Sequence, residues 1–318
     1  MTEIVPFHSN HIGDSARLVS RRYQIFYEQE PLLPGRYQDV ANLQPLIQSI
    51  FEASGLGVAA LQDGELVGFL IGWLMPGFRG KRSVYTPEWA NAAGTENRRS
   101  IYEQMYERIA EIWVAEKYVA HYISFFANDL ETVNIWNWLG FGMISVDAVR
   151  GLHPIKHLNQ GIHIRRASIQ DIDPVINLHQ GLVRYSTGSP SFFITDQHNR
   201  EYFETWLCDS ERSIWLAELN EEPVAFLRVG PANDDVSTII YDEKTISIYG
   251  AVTEEMMRGK GAATALLAQV IEIARITGYG RIAVDFESMN ILSARFWLSH
   301  GFKPVCHSFQ RFIDERVL

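Results

Sequence analysis

The sequence predicts a mixed α/β fold of two tandem domains, each a mostly antiparallel sheet flanked by helices. Three observations predict it. The chain repeats itself once at a fixed spacing, two stretches in matching places read as β-hairpins, and each half closes on a helix, strand, helix run whose apolar period alternates between 3.6 and 2. At 318 residues, with 47% hydrophobic and 21% charged side chains, there is material for two ordinary cores.

The elements follow in order. Short strands are expected at 3–7 and 162–166, each followed across an Asp-containing turn by a helical pattern. Hairpins come next: runs 58–61 and 66–74 flank Asp63-Gly64, and runs 214–219 and 224–229 flank the four residues Asn220 to Pro223. The longest apolar stretch, 66–78, is interrupted by Gly68, Gly72, Pro76 and Gly77 and is far short of a membrane span, so it reads as a buried strand. Then the repeat becomes explicit. Asp129, Trp136, Gly140 and Phe141 recur as Asn290, Trp297, Gly301 and Phe302, all 161 positions apart. The same spacing pairs an expected strand at 121–126 with one at 282–287, and a helix at 97–117 with one at 258–278. Apolar or small residues at 263, 266, 267, 270, 271 and 274 give the latter helix a broad face for a sheet, and Gly278 suits its C-terminus. Two copies at so long a period mean a duplicated domain. A glycine-bounded stretch carrying Pro154 separates them, so the expected division is a domain at 1–154, a linker at 155–161 and a domain at 162–318.

Composition excludes several classes. The formal charge is −10, spread as −4 and −6 over the halves, so neither half is a basic nucleic-acid-binding module. Two cysteines make no disulfide scaffold or metal spacing, and a reducing cytoplasm fits them. The ten histidines show no metal pattern, and no metal is expected. The N-terminus has no basic region followed by an apolar run, so no signal peptide or membrane partner is expected.

The stretch 251–267, AVTEEMMRGKGAATALL, carries the chemistry. An apolar strand at 246–252 runs through a short connector into small residues and then a helix. Backbone N–H groups at a helix start lack intrahelical partners and carry the positive end of its dipole, so an anion is favoured there, and glycine and alanine let it come close. The motif lacks the Lys-Ser/Thr pair of a nucleotide-binding P-loop and follows no early βαβ unit.

From these residues the second half resembles the GCN5-related N-acetyltransferase (GNAT) superfamily. Arg258-Gly259-Lys260-Gly261-Ala262-Ala263 matches that family's acetyl-CoA signature, and Asn290 through Trp297 to Gly301-Phe302 matches its second motif, in the right order. The resemblance covers 162–318 by motifs and 1–154 only through the repeat. It implies acetyl-CoA as co-substrate, with the pantetheine arm on the strand ending at Ala251, Val252 and Thr253 and the diphosphate on the loop from Arg258 to Ala263. Asn290 most simply caps its helix, a cofactor contact being secondary, and Trp297 packs on the pantetheine or simply in the core. At the 161 spacing Arg258 falls on Asn97, Gly261 on Ser100 and Ala263 on Tyr102, so the first copy is expected to bind acetyl-CoA weakly or not at all.

Acetyl transfer needs a neutral amine, a donor for the oxyanion and an outlet for the thiolate. Asp285 stands where some members that acetylate protein N-termini carry a glutamate and is the first choice of base; Glu287, on the same side by period two, is the second. A solvated or salt-bridged carboxylate is the alternative for each. The position at which many relatives hold a thiolate-protonating tyrosine is Trp297, whose indole N–H is no useful acid, which argues against a tyrosine-acid mechanism. The expectation is an N-acetyltransferase acting on a small-molecule primary amine, as a monomer or homodimer, with the acceptor shaped by the loops at 185–193 and 231–235. A protein N-terminal acetyltransferase and a non-catalytic acyl-CoA-binding or scaffold protein are the alternatives.

Overall fold

The computed structural model describes residues 2–156, 161–195, 197–233 and 238–318, so the middle of the expected linker and the tip of the expected 231–235 loop lie outside the described residues. The chain forms two compact units, one of Met1–Val146 with Pro304–Leu318 and one of Asp147–Lys303. In chain order the elements up to the division are β1 (Thr2–Pro6), α1 (Ile12–Gln29), α2 (Val40–Ser54), β2 (Gly57–Gln62), β3 (Glu65–Ile71), β4 (Trp73–Met75), β5 (Ser83–Thr86), β6 (Asn91–Ala93), α3 (Arg98–Ala115), β7 (Ala120–Phe126), α4 (Leu130–Trp138) and β8 (Gly142–Arg150), which crosses it. After it come β9 (His163–Arg166), α5 (Ile172–Thr187), α6 (Arg200–Cys208), β10 (Ser213–Leu219), β11 (Glu222–Pro231), β12 (Thr245–Thr253), α7 (Ala262–Ile276), β13 (Arg281–Glu287), α8 (Ile291–Ser299) and β14 (Lys303–Phe312). The expected mixed α/β architecture, with mostly antiparallel strands flanked by helices, is what forms. No helix among the described residues is long and apolar enough to cross a membrane.

In the first unit β1, β2, β3 and β6 make one antiparallel sheet. The apolar run expected to be one strand at 66–78 is two. The break falls at Gly72, where a Cβ would meet Val84 at 2.3 Å, and β4 beyond it pairs β5 instead. β5 pairs β7 in parallel, and β14 pairs β7 antiparallel from Cys306↔Phe126 to Phe312↔Ala120. Sequence order counts 304–318 with the second domain; backbone pairing puts them in the first unit, because β7 offers them an open edge that no residue pattern reveals. Tyr102, Tyr106, Trp136 and Phe141 interlock edge to face in the core.

In the second unit β9, β10, β11 and β12 pair antiparallel in that order, and β13 joins β12 in parallel. The second hairpin turns on two residues rather than four: Asn220 and Glu221 take positive φ of 52° and 68°, and Pro223 already pairs Glu218 beside a bulge. Asparagine tolerates the left-handed conformation, which makes the tighter turn possible. α7 lays Leu266, Leu267, Val270 and Ile271 against the sheet. The 161 spacing holds in three dimensions: β7 and β13, and α4 and α8, begin and end at matching residues.

One buried group gives the first unit an acid limit. His121 Nε2 faces the Tyr118 carbonyl at 3.1 Å, so that nitrogen donates and Nδ1 accepts from the Tyr106 hydroxyl at 2.8 Å. Burial, with Arg311 nearby, lowers its pKa to about 4 despite the Tyr118 bond. The unfolded chain binds this proton near pH 6.5 and the native one does not, so stability is full above 6.5 and falls as pH drops toward 4, by up to about 3 kcal/mol. Urea unfolding from pH 7 to pH 4 checks this; His121→Gln should flatten the loss, and an unchanged slope in that variant would refute the assignment.

Candidate functional site

The site begins where a strand loses its neighbour. β12 and β13 pair only from Thr245↔Arg281 to Ile248↔Val284, although each strand continues beyond. On its other side β12 stays paired with β11 down to Ala225↔Thr253, but the register slips between Arg228↔Gly250 and Val229↔Ile248, leaving Tyr249 as an extra residue. A bulge bends and over-twists a strand, which accounts for the parting. Arg228 fixes the bulge: its Nη2 donates to the Tyr249 carbonyl at 2.6 Å, and the buried guanidinium packs over Trp206 at 4.6 Å and Tyr202 at 5.1 Å. From Tyr249 to Thr253, alternate backbone N–H and C=O groups point to the side β13 has left.

The same strand leads into the start of α7. Gly259 and Gly261 have φ of 74° and 89°, and a Cβ built on either meets nothing within 4 Å, so the space above the loop is open. Gly261 is the N-cap, with no side-chain cap and no acidic residue in the first turn, which leaves the N–H groups of Ala262, Ala263 and Thr264 to an outside partner. β12, this loop, α5 and α8 enclose a cavity of about 1260 Å³.

Of the residues expected at the cofactor, Ala251, Val252, Thr253, Arg258, Gly259, Gly261, Ala262, Ala263, Asn290 and Trp297 all line this cavity. Lys260 does not; its Nζ turns to the Met257 sulfur at 3.8 Å. Asn290 Oδ1 accepts the Ser293 N–H at 3.0 Å and so caps α8. Trp297 is 3% exposed, with its Nε1–H donated to Ser293 Oγ at 2.8 Å. Sequence reasoning missed Gly181 and Leu182 of α5, which face the cavity; Tyr185, expected in a loop at 185–193, lies instead in α5 and carries the Arg258 guanidinium at 5.0 Å over its ring. Glu254 and Glu255, in the connector between β12 and the loop, also line the cavity.

Neither Asp285 nor Glu287 is part of that lining. Asp285 directly follows Val284, the last β13 residue paired with β12, and so stands at the vertex of the parting. Its side chain is exposed, yet the protein packed around it desolvates the carboxyl. That desolvation, reinforced by the Glu287 carboxylate and opposed by Arg228, raises its pKa to about 6.

The matching region of the first unit is closed. The N-cap of α3 is Asn97, at φ 54°, which matches Gly261 rather than Arg258: α3 starts three residues earlier than a constant spacing allows. Arg22 donates to Asp129 at 2.7 Å and to the Tyr102 hydroxyl at 3.0 Å, Arg98 donates to Asp129 at 3.0 Å, and Tyr102 donates to Asn91 at 3.1 Å. Burial alone would raise the Asp129 carboxyl, but Arg22, the Thr132 N–H and Arg98 outweigh it and hold it below the usual range. Where the second unit has open space, the first has a side-chain ion network.

Because Gly261 holds a left-handed conformation, Gly261→Ala should destabilise the second unit by about 1 kcal/mol even though its methyl has room. Denaturant unfolding of the two proteins measures this; equal stability would show that the loop relaxes to negative φ.

The chain resembles known proteins in sequence and in fold. The family model described as acetyltransferase (GNAT) family matches residues 182–302. The chain is 26% identical to human N-acetyltransferase 8B over 106 residues, 33% of this chain and 45% of that protein. It is 26% identical to human N-acetyltransferase 8 over 130 residues, 37% of this chain and 56% of that one. It thus spans about half the length of these curated relatives. Among solved structures, a GCN5-related N-acetyltransferase from Sphaerobacter thermophilus aligns over 98% of this chain and 95% of its own, with TM-score 0.59 and 14% identity. A tandem GNAT protein from the clavulanic acid biosynthesis pathway aligns over 98% of both chains with TM-score 0.50 and 13% identity, a likeness of fold. The C-terminal region of this chain, residues 182–302, is a domain of the GNAT acetyltransferase family.

Proposed function

We propose that this chain is an acetyl-CoA-dependent N-acetyltransferase whose second unit transfers an acetyl group to a primary amine of a small molecule. The observation that carries this is the continuity of an unpaired strand edge with an uncapped helix start along one cavity. A thin extended arm binds such an edge as an added strand, and a diphosphate suits three free N–H groups at the positive end of a helix. The open space over Gly259 and Gly261 fits this use, since side chains there would stand between backbone and anion.

In this reading Ala251, Val252 and Thr253 orient the arm, and a β12 N–H meets the oxygen that becomes negative when the amine adds to the thioester carbonyl. Gly259, Gly261, Ala262 and Ala263 hold the diphosphate, with Arg258, braced on Tyr185, beside it. Asn290 and Trp297 keep α8 in place along the cavity. Asp285 takes the amine proton and Glu287 tunes it. Among the described residues it is the carboxylate whose pKa is raised toward neutrality, which suits a base. The first unit, its counterpart region filled by Arg22, Arg98, Asp129 and Tyr102, binds no acetyl-CoA and serves the fold.

Two measurements test this. Calorimetry should find one acetyl-CoA per chain, and thiol release with a panel of primary amines should give turnover; binding with no turnover on any amine would make the protein an acyl-CoA binder instead. With the best amine, kcat/KM should rise with pH through about 6 as Asp285 loses its proton. Asp285→Asn should lower it about a hundredfold and remove that limb. Unchanged turnover in this variant would remove Asp285 as the base.

A further inference from the structure

The indole at 297 leaves the departing thiolate without the tyrosine found in many relatives, and the hydrogen bonds around it point to a substitute. An indole N–H can only donate. Trp297 Nε1 donates to Ser293 Oγ at 2.8 Å, so Ser293 is the acceptor in that bond and its own hydroxyl hydrogen is left for another partner. Among the described residues Oγ has no second hydrogen bond. Ser293 lies between Asn290 and Trp297 on one face of α8, and all three line the cavity. The Asn290 cap on the Ser293 N–H fixes this first turn. Donation from the indole also polarises the serine O–H and strengthens it as a donor.

The first unit holds the same pair in another state. Thr132 and Trp136 stand at the corresponding positions, but both are fully buried, the Thr132 side chain lies beside the Asp129 carboxylate, and among the described residues Trp136 Nε1 has no hydrogen-bond partner, so no indole bond reaches the hydroxyl. Of the two corresponding hydroxyls, the one bonded to its indole and open to a cavity is Ser293, in the unit with the open helix start.

We propose that the Ser293 hydroxyl donates a hydrogen bond to the sulfur of acetyl-CoA as it leaves. This rests on the acetyl-CoA reading of the cavity. The amine nitrogen forms the new C–N bond to the thioester carbon, the C–S bond breaks, and its electron pair moves onto sulfur. The amine proton goes to Asp285. Ser293 keeps its proton and stabilises the sulfur anion through the hydrogen bond, and solvent protonates the thiolate afterwards. A free thiol has a pKa of roughly 8.5, so this partial support is enough near neutrality.

The test needs no acceptor amine, because the thiol of bound CoA reports the donor directly. Thiolate absorbance of CoA bound to the full chain is titrated for the wild type, Ser293→Ala and Ser293→Thr. The charged groups Arg184, Glu254, Glu255 and Arg258, which also line the cavity, are the same in all three. The bound thiol should ionise about one pH unit higher in Ser293→Ala than in the wild type, with Ser293→Thr close to wild type. Desulfo-CoA should bind the wild type and Ser293→Ala equally. Identical titration curves, or desulfo-CoA affinity falling as far as CoA affinity, would overturn the proposal and assign Ser293 to packing. Failure of the wild type to bind CoA would overturn the cofactor reading and this one with it.

Discussion

The candidate site depends on a strand inside a sheet giving up one of its two neighbours. Unpaired backbone groups in a protein interior cost about 1–3 kcal/mol each, so a sheet parts only where solvent or a ligand can take the vacated bonds. Here a single slipped residue, Tyr249, turns β12 away from β13, and a buried cation holds it there. Arg228 could not be buried as an isolated charge. A carbonyl and a stack of aromatic rings from α6 compensate it, which ties the shape of the sheet to a helix on its face.

The two halves show one architecture with its helix start left open and with it filled. In the second unit small residues leave the start of α7 bare. In the first, three extra helical residues and the charges of Arg22, Arg98 and Asp129 fill the equivalent space, Asp129 pairing both arginines and Arg98 pairing Glu131 as well. Such a network adds little net stability over an apolar filling, yet losing one member strands the others in a low-dielectric interior. Reopening that region would therefore take several simultaneous changes, which explains how a closed copy stays closed.

Much of this was legible in the sequence. The 161 spacing paired β7 with β13 and α4 with α8 and placed the two strands to within one residue, because helix caps and the Gly-Phe pair are local chemistry. Ten of the eleven expected cofactor residues came together in one cavity for the same reason: strand, glycine turn and helix are contiguous in the chain. What escaped was non-local. The three-residue extension of α3 breaks a constant spacing only at its start, and the wall from α5 is set by packing across the sheet. Ser293 looked like any helical serine until its partner was known, since only the direction of the Trp297 bond shows that its proton is spare.

The placement of β14 has a consequence for how the molecule is made. The first unit lacks the strand that closes β7 until residues 306–312 have been synthesised, after the whole of the second unit. Chains usually fold in the order they leave the ribosome. Here the half that emerges first is completed last, with an open β edge waiting through the synthesis of roughly half the protein. That edge is a place where an extended segment can pair until β14 takes it.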